Sequence, residues 1–234
     1  DADPTISVGG ILKSIHDNFR VGSSEYFVTE ACEYTNSFLS LFPKISVILN
    51  IEEDHLDFFK DLEDIRRSFR LFAERLPEDG LLVINGEIQQ LSDLTGSLHC
   101  KVLTYGLDGD YDYTARNIRW NELAQATFDV YEYGRKQTTV TLAVPGRHNI
   151  SNALATIAVM RHLDFPLETI LQGLKSFQRT DRRFEYKGEV GGVTVIDDYA
   201  HHPTEISATL RAATQYPHNR LWVVFQPHTY TRTS

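Results

Sequence analysis

The sequence predicts an α/β fold: a central, mostly parallel sheet domain with an added antiparallel section, then the opening of a second α/β domain. Three observations carry this. The mainly apolar runs Ile45–Leu49, Leu81–Asn85 and Lys101–Tyr105 are separated by helical patterns, as in parallel strands buried on both faces. From Tyr111 the pattern changes to alternation of apolar and polar residues, which marks an antiparallel meander with one wet face. After residue 183 a strand pair, a helix and another apolar run start a new α/β unit.

In chain order, residues 1–29 read as short strands, with a turn expected at Gly9-Gly10, where close approach of a ligand is the alternative. Ser37–Phe42 reads as a short helical piece stopped by Pro43. Leu62, Ile65, Phe69, Phe72, Ala73 and Leu76 share one helical face; Arg66, Arg67 and Arg70 fall off it and are expected in solvent. A short helix is expected near Glu87–Leu94. The meander runs through Tyr111–Ile118, Ala126–Tyr133 and Thr138–Val144, and Pro145-Gly146 closes it. Helices follow at Asn149–Leu163 and Leu167–Phe177. The polar segment Gln178–Arg183 is the expected boundary, dividing a domain over 1–181 from a second over 182–234. Beyond it come a hairpin turning at Gly191-Gly192, a helix at Thr204–Gln215 and a strand at Leu221–Phe225.

Composition excludes several classes. A formal charge of -9 argues against non-specific binding to nucleic acid or anionic membranes. No apolar run reaches the length of a membrane span and no signal peptide opens the chain. Cys32 and Cys100 form no Cys-x-x-Cys pair, so zinc is not indicated, and two thiols in 234 residues suggest a reducing compartment. No oligomeric state is assigned.

The most polar stretch is Asn50-Ile-Glu-Glu-Asp-His-Leu-Asp57, directly after the Ile45–Leu49 strand. Ligands of open α/β sheets collect at the carboxyl ends of strands. The strand Tyr26–Thr29 also runs into acid at Glu30 and Glu33, so two adjacent strands are expected to bring a carboxylate and His55 to one mouth, a chemistry that suits Mg²⁺. The alternative is an acidic first helical turn.

The same residues carry a resemblance. Glu30-Ala-Cys-Glu-Tyr34, the 50–57 stretch, Pro145-Gly-Arg-His-Asn149 with Asn152, Arg182-Arg-Phe-Glu185, Asp197-Asp-Tyr-Ala-His-His-Pro-Thr-Glu205 and Gln226-Pro-His-Thr-Tyr-Thr-Arg-Thr233 resemble the Mur ligase family, in family order. The resemblance implies ATP-dependent joining of L-alanine to the lactyl carboxylate of UDP-N-acetylmuramate in the cytoplasm, through an acyl phosphate, in cell-wall precursor synthesis. It implies ATP and Mg²⁺ as cofactors, with UDP-N-acetylmuramate, L-alanine and ATP as the small-molecule partners. Glu30 and His55 match the family's magnesium ligands and, with Arg183, its catalytic set. His148, Asn149, Asn152, Arg183 and Asp198 match its nucleotide-binding positions. Tyr199, His228 and Arg232 match positions facing the substrate.

Local alternatives stand beside these roles: a helix cap for Asn149, a salt bridge from Arg183 to Glu185, and a helix start rather than zinc for His201 and His202. Two departures matter. Arg70 stands where some relatives carry a carbamoylated lysine, which favours the alanine-adding branch, and Thr229 stands where many carry a second arginine. The family's Gly-Thr-His-Gly-Lys-Thr-Thr phosphate loop is absent from these residues, and both ends look cut; alone, they are expected not to make the product. The competing functional readings are a related ligase that adds a murein peptide and a non-catalytic nucleotide-binding module.

Overall fold

The computed structural model describes residues 2–178 and 180–227. The first strands form a small sheet of their own, with β1 (Thr5–Leu12) between β2 (Asp17–Arg20), antiparallel to it, and β3 (Phe27–Thr29), parallel to it. Gly9-Gly10 is not a turn, because both residues lie inside β1. Glu30 explains Gly9: the Gly9 N–H donates to Glu30 Oε2 at 2.7 Å, and a Cβ at position 9 would stand 3.0 Å from both carboxylate oxygens. The glycine allows a close approach within the strand. A 3-10 helix, Tyr34–Ser40, then buries Phe38, which stacks on Phe72 at 4.6 Å.

In the central six-stranded sheet, sequence order is spatial order. β4 (Ile45–Ile48), β5 (Leu81–Asn85), β6 (Lys101–Gly106) and β7 (Tyr113–Trp120) are parallel neighbours; β8 (Gln125–Glu132) and β9 (Arg135–Pro145) continue it antiparallel. α1 (Leu62–Ala73) and α2 (Leu91–Thr95) connect β4, β5 and β6, while α3 (Arg147–His162) follows β9 and packs back on the sheet. α4 (Leu167–Ser176) packs on β9.

Pleating divides β5 between two cores. Leu81 and Val83 join Leu103, Tyr105, Ile150 and Leu154 under α3, whereas Leu82 and Ile84 join Ile48, Ala73 and Leu94 under α1 and α2. Parallel register brings the ends of β4, β5 and β6 to one rim, where Asn85 Nδ2 donates to Leu49 O at 3.0 Å.

Four further expectations need correction. Arg66 is buried: its Nη1 and Nη2 donate to the carbonyls of Gln89 and Gln90 at 2.9 and 3.0 Å. Those carbonyls precede α2 in a turn where Gln90 has φ 50, which also confines that helix to five residues instead of the longer span expected. α3 starts at Arg147, so Asn149 is inside the helix and not its cap. Leu221–Phe225 is not a strand; no described strand pairs with it, and Val224 is 98% exposed. An apolar run becomes a strand only beside a ladder partner.

The remaining elements agree with expectation. β10 (Glu185–Val190) and β11 (Val193–Asp197) pair antiparallel through Gly191 and Gly192, both at positive φ, as a tight hairpin requires. α5 (Pro203–Gln215) starts with His202 as N-cap, Pro203 at the first helical position and Glu205 completing a capping box.

The buried Arg66 bonds yield a stability test. Arg66→Ala is expected to cost about 1–3 kcal/mol in urea unfolding, since it strands two carbonyls. Arg67→Ala, which removes an exposed pair with Asp64, is expected to stay within about 0.5 kcal/mol.

Candidate functional site

His55 sits in a tight turn beyond β4, with φ 54. Its N–H donates to Asp54 Oδ1 at 2.7 Å, and its carbonyl accepts from the Phe58 and Phe59 amides at 2.9 Å each. The imidazole Nε2 lies 3.5 Å from Glu33 Oε1 and 3.8 Å from Asp54 Oδ2. The Tyr34 ring is 4.6 Å away, and the Tyr34 hydroxyl donates to Asp57 Oδ2 at 2.9 Å.

The expected partner, Glu30, is elsewhere in the topology. It follows β3, which pairs with β1, while β4 pairs with β5; the two strands belong to different sheets and are not adjacent. Glu30 is engaged with Gly9, and His55 has Glu33 and Asp54. Among the described residues no three His, Cys, Asp or Glu side chains converge to hold a metal. The strands that precede Glu30 and His55 are therefore not the adjacent pair expected from the sequence. Glu33, the other acid expected after β3, and Tyr34, which had no assigned role, frame His55.

A second group assembles where residues 182–205 meet the start of α3. Burial lowers the His148 imidazole below its ordinary 6.5; Asp198 opposes that shift, Arg183 adds to it and Glu205 opposes it. His148 therefore senses three charged groups distant in sequence. Gly146, at φ 99, makes room for it: a Cβ there would stand 2.6 Å from the ring.

Arg183 Nη1 lies 3.4 Å from Glu205 Oε1, so its carboxylate partner is Glu205, whereas Glu185 accepts from the Arg182 N–H and meets Lys13 and Lys187. Glu205 appeared in the sequence only as part of a helix start. The two Asp198 oxygens accept from the Phe184 and Ala200 amides at 2.7 Å each, bracing the chain beside Arg183. Arg182 lies over the Tyr199 ring at 4.5 Å, and the Tyr199 N–H donates to the Arg182 carbonyl.

Asn149 and Asn152 face the same side of α3, but their amides serve the helix itself. Asn149 Nδ2 donates to Pro145 O at 2.7 Å, and Asn149 Oδ1 accepts from Asn152 Nδ2 at 3.3 Å. His228, Thr229, Tyr230 and Arg232 lie outside the described residues.

Beside the His55 turn is a cleft of ≈ 970 Å³, walled by residues 50–57 and 87–90, by Arg66, and by residues 201–204 at the α5 start. A parallel sheet whose carboxyl rim opens into such a cleft defines an open α/β protein that takes its ligand at the strand ends. The Mur ligase middle domain matches residues 10–160 and the Mur ligase glutamate ligase domain matches 182–233. The chain belongs to the Mur ligase family.

It is 58% identical, over 99% of its length and 50% of the relative's, to the UDP-N-acetylmuramate–L-alanine ligase of Agathobacter rectalis. The crystal structure of UDP-N-acetylmuramate–alanine ligase from Thermotoga maritima superposes with a TM-score of 0.77 at 30% identity, covering 92% of this chain and 48% of that one. A MurF ligase from Thermotoga maritima, solved in complex with ADP, shares the fold at a TM-score of 0.72 and 20% identity, over 91% of this chain and 52% of that one. The chain spans about half the length of the curated relatives it matches.

The convergence on His148 is checked by its ring-proton titration in NMR. The midpoint is expected below 6.5. Arg183→Ala should raise it by removing a cation, and Glu205→Gln, which keeps the capping box, should lower it by removing an anion. Two variants with the wild-type midpoint would show that these groups are not neighbours.

Proposed function

We propose that this chain carries part of an ATP-dependent ligase joining L-alanine to the lactyl carboxylate of UDP-N-acetylmuramate. The supporting observation is the 58% identity over 99% of the chain to a relative of that name. A carboxylate is a poor electrophile. In the proposed reaction its oxygen attacks the γ-phosphorus of ATP, the bond to the bridging oxygen breaks, and ADP leaves. The alanine amine, having lost a proton, then attacks the acyl carbon, and inorganic phosphate departs with the bonding electrons.

The chain's own groups suit the anionic part of this sequence. Positioning and charge neutralisation are most of what a protein supplies to phosphoryl transfer. Arg183 keeps its charge at every relevant pH and can pair bidentately with phosphate oxygens. The start of α3, sixteen residues long, directs backbone N–H groups toward an anion, with His148 beside it held toward its neutral form. Asp198 acts through the backbone flanking Arg183, and Asn149 with Asn152 fixes the start of α3. Tyr199, stacked with Arg182, is assigned to substrate contact. The substrates are water-soluble, and among the described residues no helix is long and apolar enough to cross a membrane. We assign the reaction to the cytoplasm.

The test is phosphate release by the protein at its relatives' length, given ATP, UDP-N-acetylmuramate and either L-alanine or a murein tripeptide. Turnover is expected with L-alanine, and Arg183→Ala should lower kcat/KM by about tenfold or more. Turnover with the tripeptide alone would assign the chain to the peptide-adding branch; an unaffected Arg183→Ala would remove that residue from the phosphate site.

A further inference from the structure

His202 does two things from one ring. As N-cap of α5 it presents Nδ1 to the Thr204 N–H at 3.4 Å. On its other edge, Nε2 lies 2.9 Å from the backbone carbonyl of Glu53, a residue 149 positions earlier. A carbonyl only accepts, so Nε2 carries the proton. The neutral Nε2–H form satisfies both contacts. The imidazolium form keeps the Glu53 bond and turns Nδ1–H to Glu52 Oε2, 3.3 Å away. The bond to Glu53 therefore persists in either form.

The bond lands two residues before His55, in the turn closed by the bonds from the His55, Phe58 and Phe59 amides. Its other end stands four residues after Asp198 and three before Glu205, the partner of Arg183. A single side chain thus links the segment carrying Asp198 and Glu205 to the acidic turn, and both ends of the bond line the cleft.

We propose that His202 is a positioning residue: its Nε2–H···O=C bond to Glu53 fixes the turn bearing His55 against the start of α5 and sets the width of the cleft. For catalysis this rests on the ligase reading above; the positional claim does not.

Two substitutions separate the latch from the cap. Asn is a favoured N-cap but too short to reach Glu53, so His202→Asn keeps the start of α5 and loses the crossing bond. Gln places its amide near Nε2, so His202→Gln keeps the crossing donor with a poorer cap. Hydrogen exchange of the His55, Phe58 and Phe59 amides is measured in this chain and in the protein at its relatives' length. In His202→Asn these amides are expected to exchange several-fold faster while α5 is unchanged; in His202→Gln they should stay near wild type. In the longer protein His202→Asn should lower kcat about tenfold with KM for ATP within about twofold, and His202→Gln should restore kcat.

Wild-type exchange at the three amides in His202→Asn, or equal acceleration in both variants, would overturn the proposal. Exchange needs no turnover: a wild-type protein with no ligase activity overturns the reaction reading, while the exchange rates still decide the latch.

Discussion

Leu81, Leu82, Val83 and Ile84 have no solvent exposure, and a strand in that state needs a layer on each face. Each such side chain contributes about 1.5–3 kcal/mol on burial, so β5 is where the two halves of the core are joined. α3 supplies one layer, α1 and α2 the other. Once β5 is fixed, the parallel register of β4 and β6 places their carboxyl ends on one rim. The acidic turn and the 87–90 turn then have nowhere else to emerge. The cleft is a consequence of how the sheet is covered.

The second side of the site depends on a different constraint. Residues 182–205 add little to the apolar core, and their placement is polar. Asp198 bonds two backbone amides, Glu205 takes Arg183 and the amides at the α5 start, and His202 crosses to Glu53. Charged groups held this way keep their geometry without a large buried area, while their exposed faces remain open to a ligand. The same arrangement sets His148, whose residue surface is partly exposed, beside an arginine and two carboxylates, and its proton affinity reports their placement.

Much of the fold could be read from the sequence because its signals are local. The unbroken run at β5 and the Gly191-Gly192 turn each require only neighbouring residues. What the sequence did not disclose depends on distant partners. Gly9 is a glycine because Glu30, 21 residues on, folds against it. Arg66 lies off the apolar face of α1 but meets two carbonyls that periodicity cannot reveal. The expectation that the strands before Glu30 and His55 are neighbours failed because acid after two strands does not tell which sheet each strand joins. Within the site, the motifs led to His148, Arg183 and Asp198, and the structure groups them; the sequence offered Glu30 and Glu33 alike as the carboxylate beside His55, and the contacts of Tyr34 and Glu205 emerged only when side chains were placed.

The central claim is that the start of α3 and residues 182–205 form one anion-binding site. A crystal structure of the protein at its relatives' length with a non-hydrolysable ATP analogue tests this most directly. The expected result is a terminal phosphate within hydrogen-bonding distance of the Arg183 guanidinium, with His148 beside the same phosphate group. A nucleotide bound with its phosphates away from both residues, while Arg183 remained paired with Glu205, would contradict it.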